Sequence, residues 1–411
     1  MFSKLLVAVS IALAASASPL AIRSSPVTIQ LARRFNTTGS KNIIELDQAR
    51  AKFLKNGGSA KFKTASASSA PSVPVTNGAV TYTAEVQVGS PPTTFSLIVD
   101  TGSSNTWIGA STPFTETSTS HDTGAQVAVE YGSGLFFGEE FLDQVSLGSG
   151  LTVVNQSIGV AEETFGFTGV DGILGIGPTD LTEDTTSAGG MVPTILDNAF
   201  GLGMVATKEI GISFKPTTNF SDKNGELTFG GVDTTKFTGP LTTVPITSTS
   251  PASDYVGIDQ TITYGSFPGR TILSPTAGIV DTGTTLLLLP TDSIAAYMEV
   301  TGAVMDDRTG LLSLSPTQFS NLKSMFFEIG DNVFEFTPDA QLWPRELNTA
   351  VGGEDSGIYL IVGDLGTPTG EGLDFINGFA WLERHYFVFD SGANTASFAT
   401  TEFTHAIANN V

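Results

Sequence analysis

The 411-residue chain contains no cysteine, which excludes disulfides and thiolate metal sites and leaves an ordinary apolar core to hold the fold. Its three histidines are scattered, with no H-E-x-x-H spacing, so neither a metal nor any other cofactor is expected. Charged residues make up only 15%, and basic ones are the scarcer kind, 19 Lys+Arg against 41 Asp+Glu, for a net charge of −22. No apolar run reaches the length of a bilayer-crossing helix, and the C-terminal "TEFTHAIANNV" is too polar for a lipid-anchor signal. What is abundant is glycine, with 45 residues, the composition of many short strands joined by tight turns. The length suggests two lobes.

The chain opens with Lys4, then the apolar run "LLVAVSIALAA", then the small residues Ala15, Ser16 and Ala17, which reads as a secretory signal peptide over residues 1–17. A secreted, extracellular product with no membrane attachment is therefore expected. Between there and residue 71 lie nine basic residues, from Arg23 to Lys63, against only Glu45 and Asp47. A nucleic-acid-binding arm is the other reading of these charges, but a chain exported from the cell does not meet nucleic acid, so no nucleic-acid partner is expected. The basic head 18–71 reads as a pro-segment lying on an acidic body until it is cut away. That contact should weaken as falling pH protonates carboxylates. The stretch "TASASSAPSVPVTNGA", 64–79, is small, polar and Pro-containing, an exposed linker suited to cleavage.

Beyond the linker, Val80, Tyr82, Ala84, Val86 and Val88 alternate with Thr81, Thr83, Glu85 and Gln87, the period of a half-buried strand. Further short segments of the same kind follow, separated by Gly, Pro, Asn and Ser clusters. Long amphipathic patterns are few, the best being "PTDSIAAYMEV" from Pro290. An all-β fold is the first choice. Within it "VDTGSSNTW" (99–107) and "VDTGTTLLL" from Val280 recur, placing Asp100 and Asp281 at the ends of two apolar strands. Each half later carries an apolar-x-Gly segment, "DGILGIG" (171–177) and "DFINGFA" (374–380). Two similar lobes facing one another across a cleft are implied, 72–245 and 246–411.

If lobe symmetry brings Asp100 and Asp281 face to face, the two carboxylates share one proton and titrate as a coupled pair. A water between them then loses a proton to the ionised member while the protonated member hydrogen-bonds a peptide carbonyl, with no nucleophilic side chain or metal required. Gly102 and Gly283 permit the close backbone approach, and their N–H groups can reach the inner carboxylate oxygens. Thr101 and Thr282 can bridge the lobes, while Ser103 and Thr284 can donate to the outer oxygens. In "VEYGSGLFF", Tyr131, Gly132, Ser133 and Gly134 form a Gly-rich turn between strands, a hairpin that can close over a bound peptide. Tyr131 is placed to hydrogen-bond the Trp107 indole N–H on closure.

These residues together resemble the pepsin-like aspartic endopeptidases, particularly the secreted fungal branch. The likeness runs from about residue 72 through "IVDTGSSNTWIGA", "YGSG", "VDGILGIGP", "GELTFGG", "AGIVDTGTTL", "WPRELNTAVGG" and "GLDFINGFAWLER". It implies a bilobal fold of two pseudo-symmetric β-barrel-like lobes, Asp100 and Asp281 as the catalytic pair, and Tyr131 as the flap tyrosine backed by Trp107. It also implies synthesis as a zymogen, peptide substrates, pepstatin-type inhibition and a monomer. The chain departs from the family at 376–379, where Ile-Asn-Gly-Phe replaces the usual Ile-Leu-Gly-Asp, and in lacking the usual disulfides.

From the same resemblance, Leu135, Phe136, Phe165, Phe167 and Ile173 are expected near the cleft, favouring large apolar residues at the cleavage point. Some relatives that accept lysine carry an acid where this chain has Ser133, so cleavage after lysine is expected to be weak. By analogy with pepsin zymogens, Lys61 or Lys63 is the expected cation at the dyad. Asn155 and Asn219 begin N-x-S/T sequons in the body, and Asn36 one in the pro-segment. Two alternatives remain open. A glycosidase also uses two carboxylates, but Trp107, Trp343 and Trp381 show no clustering suited to a sugar platform. A catalytically inactive binding protein on the same fold is the second.

Overall fold

The computed structural model describes residues 26–35, 42–57, 80–132, 134–148 and 150–410. The proposed signal peptide and linker lie outside these, as do Asn36, Lys61, Lys63 and Ser133.

The predicted strand after the linker is β2 (Val80–Val88), with Tyr82, Ala84, Val86 and Val88 buried and Glu85 and Gln87 exposed. Thr83 breaks the alternation, since it is buried beside a strand from the basic N-terminal head, β1 (Val27–Phe35). β1 pairs antiparallel with β2 on one side, Leu31 opposite Ala84, and with Ser221–Phe229 on the other, Ile29 opposite Leu227. It thus lies inside a thirteen-stranded sheet that also contains the C-terminal strands His385–Asp390 and Thr395–Thr400. A seven-stranded sheet built from residues 257–378 supports the second lobe.

The internal repeat is realised as matching strand geometry. β3 (Thr93–Asp100) runs parallel to a short strand, Gly172–Gly175, with Asp100 opposite Gly175. In the second lobe Arg270–Asp281 runs parallel to Ile376–Gly378, with Asp281 opposite Gly378. Both glycines are required by crowding: a Cβ at Gly175 would lie 2.4 Å from the Ser104 carbonyl carbon, and one at Gly378 2.3 Å from the Leu286 carbonyl oxygen. At the position where the family usually has leucine, Asn377 is wholly buried and exchanges side-chain amide hydrogen bonds with Gln260, at 2.9 and 3.3 Å. Pairing with a second amide satisfies a polar group that burial would otherwise penalise.

The helix expected from Pro290 spans Thr291–Thr301 and ends on Gly302, in the left-handed region at φ 73°. A second helix, α1 (Ile43–Lys55), was not anticipated. Asn42 caps its start by accepting from the Glu45 N–H at 3.0 Å, and Ile43, Ile44, Leu46, Ala51 and Leu54 bury its apolar side. Its basic sequence reads as part of a charged head; burial against the body, rather than intrinsic helix propensity, orders it.

Candidate active site

The strand ends carrying Asp100 and Asp281 meet between the lobes. Thr101 Oγ1 donates to the Val280 carbonyl at 3.1 Å, and Thr282 Oγ1 to the Val99 carbonyl at 2.9 Å. Each hydroxyl oxygen also accepts from the backbone N–H of the opposite threonine, both at 3.0 Å. The four bonds tie the two loops together symmetrically. Gly102 and Gly283 donate their N–H groups to Oδ1 of Asp100 and Asp281, at 3.0 and 3.1 Å. Ser103 and Thr284 donate their hydroxyls to the Oδ2 atoms, at 2.5 and 2.6 Å. Each carboxylate is therefore held by one amide and one hydroxyl, as expected from the residue types.

The two acids are close enough to touch the same nitrogen. Arg50, on α1, donates through Nη2 to Asp100 Oδ1 at 2.5 Å and to Asp281 Oδ1 at 2.9 Å, and through Nε to Asp281 Oδ2 at 2.6 Å. A Cβ at Gly102 would lie 2.7 Å from Asp281 Oδ1, and one at Gly283 2.6 Å from Asp100 Oδ1, so only glycine allows this approach. The cation at the dyad is thus Arg50; the expected candidates Lys61 and Lys63 lie outside the described residues. An arginine suits the place because its planar fork meets two carboxylates at once.

Both acids are wholly buried, and their environments separate them. Burial pushes the Asp100 carboxyl above the usual carboxylate range and the Asp281 charge adds to this, against the pull of Arg50. Burial acts the same way on Asp281, but the Arg50 charge and hydrogen bonds from Arg50, Thr284 and Gly283 outweigh it and hold that carboxyl below the range.

One turn before Arg50, Asp47 accepts from the backbone N–H groups of Thr285 at 3.2 Å and Leu286 at 2.8 Å, just past the second aspartate's loop. Burial pushes this carboxyl up to about 7 despite both hydrogen bonds. Further along α1, Gln48 donates to the Asp364 carbonyl at 2.8 Å, and Tyr255 donates to the Leu54 carbonyl at 3.0 Å. Lys55 reaches Thr367 and Glu371. These anchors escaped the sequence reading, which sought a lysine near the cleavage linker. The available signal was Asp47 and Arg50, three residues apart and so on one helix face.

The flap forms as expected between the strands His121–Glu130 and Leu135–Ser146, and the Tyr131 N–H donates to the Gly134 carbonyl at 2.7 Å. Gly132 takes φ 72°, and a Cβ there would lie 2.6 Å from Phe53 Cβ and 2.7 Å from the Ala49 carbonyl oxygen, so the flap rests directly on α1. Tyr131 and Trp107 are buried with ring centroids 6.4 Å apart, yet among the described residues neither the phenol oxygen nor the indole nitrogen has a partner at hydrogen-bond distance and angle. The expected Tyr131–Trp107 pairing is only a loose approach in this state, with the indole still near enough to pull the phenol down against its burial, where the flap closes on a helix instead of an extended peptide. Phe136 stacks on Trp107 at 4.4 Å, Phe167 meets both Trp107 and Tyr131 edge-on, and Ile173 joins the same packed cluster. Leu135 and Phe165, paired across two strands, are instead exposed.

Two facing Asp-Thr-Gly loops, bridged by their threonines and covered by a tyrosine-bearing flap, define an aspartic protease. The "Eukaryotic aspartyl protease" family matches residues 81–401, and the chain belongs to that family as a pepsin-like, aspartic-type endopeptidase. It is similar to polyporopepsin of Irpex lacteus, 57% identical over 342 residues that span 83% of this chain and all of that protein. Rhizopuspepsin-1 of Rhizopus niveus is 32% identical over 93% of this chain and 95% of its own length. Among solved structures, the aspartic proteinase from Irpex lacteus superposes with a TM-score of 0.78 at 56% identity, covering 80% of this chain and 96% of that one.

Proposed function

We propose that the chain is the zymogen of a secreted endopeptidase in which Asp100 and Asp281 activate a water against the scissile peptide carbonyl at acid pH. The observation that carries this reading is the Arg50 guanidinium bonded to both carboxylates. The atoms that must bind water and substrate are engaged by the chain's own cation. In this reading residues 1–17 are the signal peptide and 18–71 the pro-segment, with lobes over 72–245 and 246–411. The coupled pair supplies base and acid in one site: the ionised carboxylate takes the water's proton as its oxygen attacks the carbonyl carbon, and the protonated one donates to the carbonyl oxygen. Thr101, Gly102, Ser103, Thr282, Gly283 and Thr284 hold the acids in place. Tyr131 with Gly132, Ser133 and Gly134 closes over the peptide, backed by Trp107. The apolar cluster of Phe136, Phe167 and Ile173 around Trp107 and Tyr131 favours large apolar residues at the cut, and a peptide-library profile preferring lysine over phenylalanine and leucine would contradict that preference. Asn155 and Asn219, both exposed, are sites for N-glycosylation in this reading. No helix of the described residues is long and apolar enough to cross a membrane.

The pH dependence follows from the dyad. Asp281, held below its ordinary range, stabilises the docked state fully above that range, and this contribution is lost as pH falls toward its depressed value. Acid therefore loosens Arg50. The test is incubation of the purified precursor at about pH 3 to 4, where carboxylates begin to protonate. A cut between about residues 60 and 75 and the appearance of pepstatin-sensitive casein hydrolysis are expected. A precursor fully active at once and uncut would refute inhibition by the pro-segment, and an inert converted protein would favour the inactive binding fold.

A further inference from the structure

Arg33 of β1 is 2% exposed and Glu383 is 3% exposed, and the Arg33 Nε lies 3.3 Å from Glu383 Oε1. The surroundings are built for a guanidinium: Arg33 Nη1 donates to the Thr217 carbonyl at 2.7 Å, and its central carbon lies 5.7 Å from the centre of the Phe379 ring. Three charged or titratable groups face Glu383. Arg33 approaches from β1, and the Tyr82 hydroxyl donates from β2 at 2.9 Å. Arg384, its chain neighbour, is committed to Asp339 at 2.9 Å and to the carbonyls of Phe403 and Ala406. The only cation paired with the Glu383 carboxylate among the described residues therefore comes from the pro-segment.

We propose that this buried ion pair is a stability latch released by maturation: removing the strand that carries Arg33 leaves Glu383 buried without its cation, so that the matured fold depends on acid for its stability. The inference rests on the removal of the pro-segment argued above. Residues 64–79, "TASASSAPSVPVTNGA", contain no basic side chain to replace Arg33. Breaking a buried pair by removing one member leaves an uncompensated charge, which proteins tolerate poorly. In acid the problem disappears, because a protonated Glu383 can donate to the Tyr82 oxygen while that hydroxyl turns its own proton to the Lys215 carbonyl, 3.2 Å away. Burial pushes the Glu383 carboxyl above its ordinary value of 4.5 even with Arg33 beside it. A folded-state value raised in this way gives stability that is full below the unfolded value and lost as pH rises through the folded one.

The test follows melting temperature from about pH 4 to about pH 8, with pepstatin present to prevent autolysis. In the uncut precursor, Arg33→Gln should melt roughly 5 °C below the parent at the upper end of this range and close to it at the lower end. Adding Glu383→Gln to Arg33→Gln should restore most of that loss. If Arg33→Gln does not fold near neutrality, folding of the double variant there supports the latch and its failure contradicts it. In acid-converted protein, with the new N-terminus verified by mass spectrometry, Glu383→Gln alone should raise the neutral melting temperature, whereas in the precursor it should lower it. An Arg33→Gln precursor whose melting temperature varies with pH as its parent's does, or one that Glu383→Gln does not rescue, overturns the proposal. A precursor that never converts counts against the maturation reading, and the precursor variants then decide the latch alone.

Discussion

At the scale of single residues, Arg50 makes three charge-assisted hydrogen bonds to two buried acids. Each such bond contributes about 1.5–3 kcal/mol. Losing one bond's worth of docking free energy shifts the open fraction by roughly 10–100-fold. Arg50→Gln should therefore raise the activity of the uncut precursor on a short peptide at about pH 5 by at least that order. An unchanged rate would show that other contacts hold α1 in the cleft. His385 supplies a second prediction. Burial pushes this ring down to about 3, where it stacks on Trp381 with centroids 4.2 Å apart. A folded-state value below the ordinary 6.5 means that stability is full above 6.5 and falls as pH drops toward 3. The total loss approaches about 5 kcal/mol. His385→Gln should flatten the acid limb of the stability curve measured by denaturant titration, and an equally steep limb would contradict the assignment.

At the scale of elements, what could be read from the sequence depended on whether the pattern was local. The alternation in β2 and the two Asp-Thr-Gly strand ends were legible because period-two burial and strand-end glycines are written in neighbouring residues. The roles of Gly102, Gly283, Ser103 and Thr284 followed from which atoms they can offer at that spacing. α1 and β1 were not legible, since their order comes from docking on distant surfaces: Arg50 lies 231 positions before Asp281. Leu135 and Phe165 are exposed because whether a flap strand's residue lines the cleft depends on strand facing, which the resemblance alone does not fix. The threonine bridge between the loops gives a prediction at this scale. Thr101→Val removes the bond to the Val280 carbonyl and leaves the Thr282 N–H without its acceptor. It should cost about 2–4 kcal/mol of stability, read from the denaturant midpoint of the precursor. A shift below about 0.5 kcal/mol would mean that other packing holds the loops together.

At the scale of the whole molecule, a basic N-terminal segment lies on a body that gives the chain its net charge of −22. Its strand completes the large sheet and its helix fills the cleft, so removal changes both lobes at once. The two-lobed plan was visible in the repeated motif, while the plugging of the cleft was anticipated with Lys61 or Lys63 as its cation, where the structure places Arg50. The most direct measurement compares casein hydrolysis at about pH 3.5 by acid-treated protein and by Asp100→Asn treated identically with added active enzyme to complete its conversion. The dyad account predicts pepstatin-sensitive hydrolysis by the first and at least about 10³-fold less by the second once the added converting enzyme has been removed, with both proteins melting alike. Comparable rates from the two would contradict it.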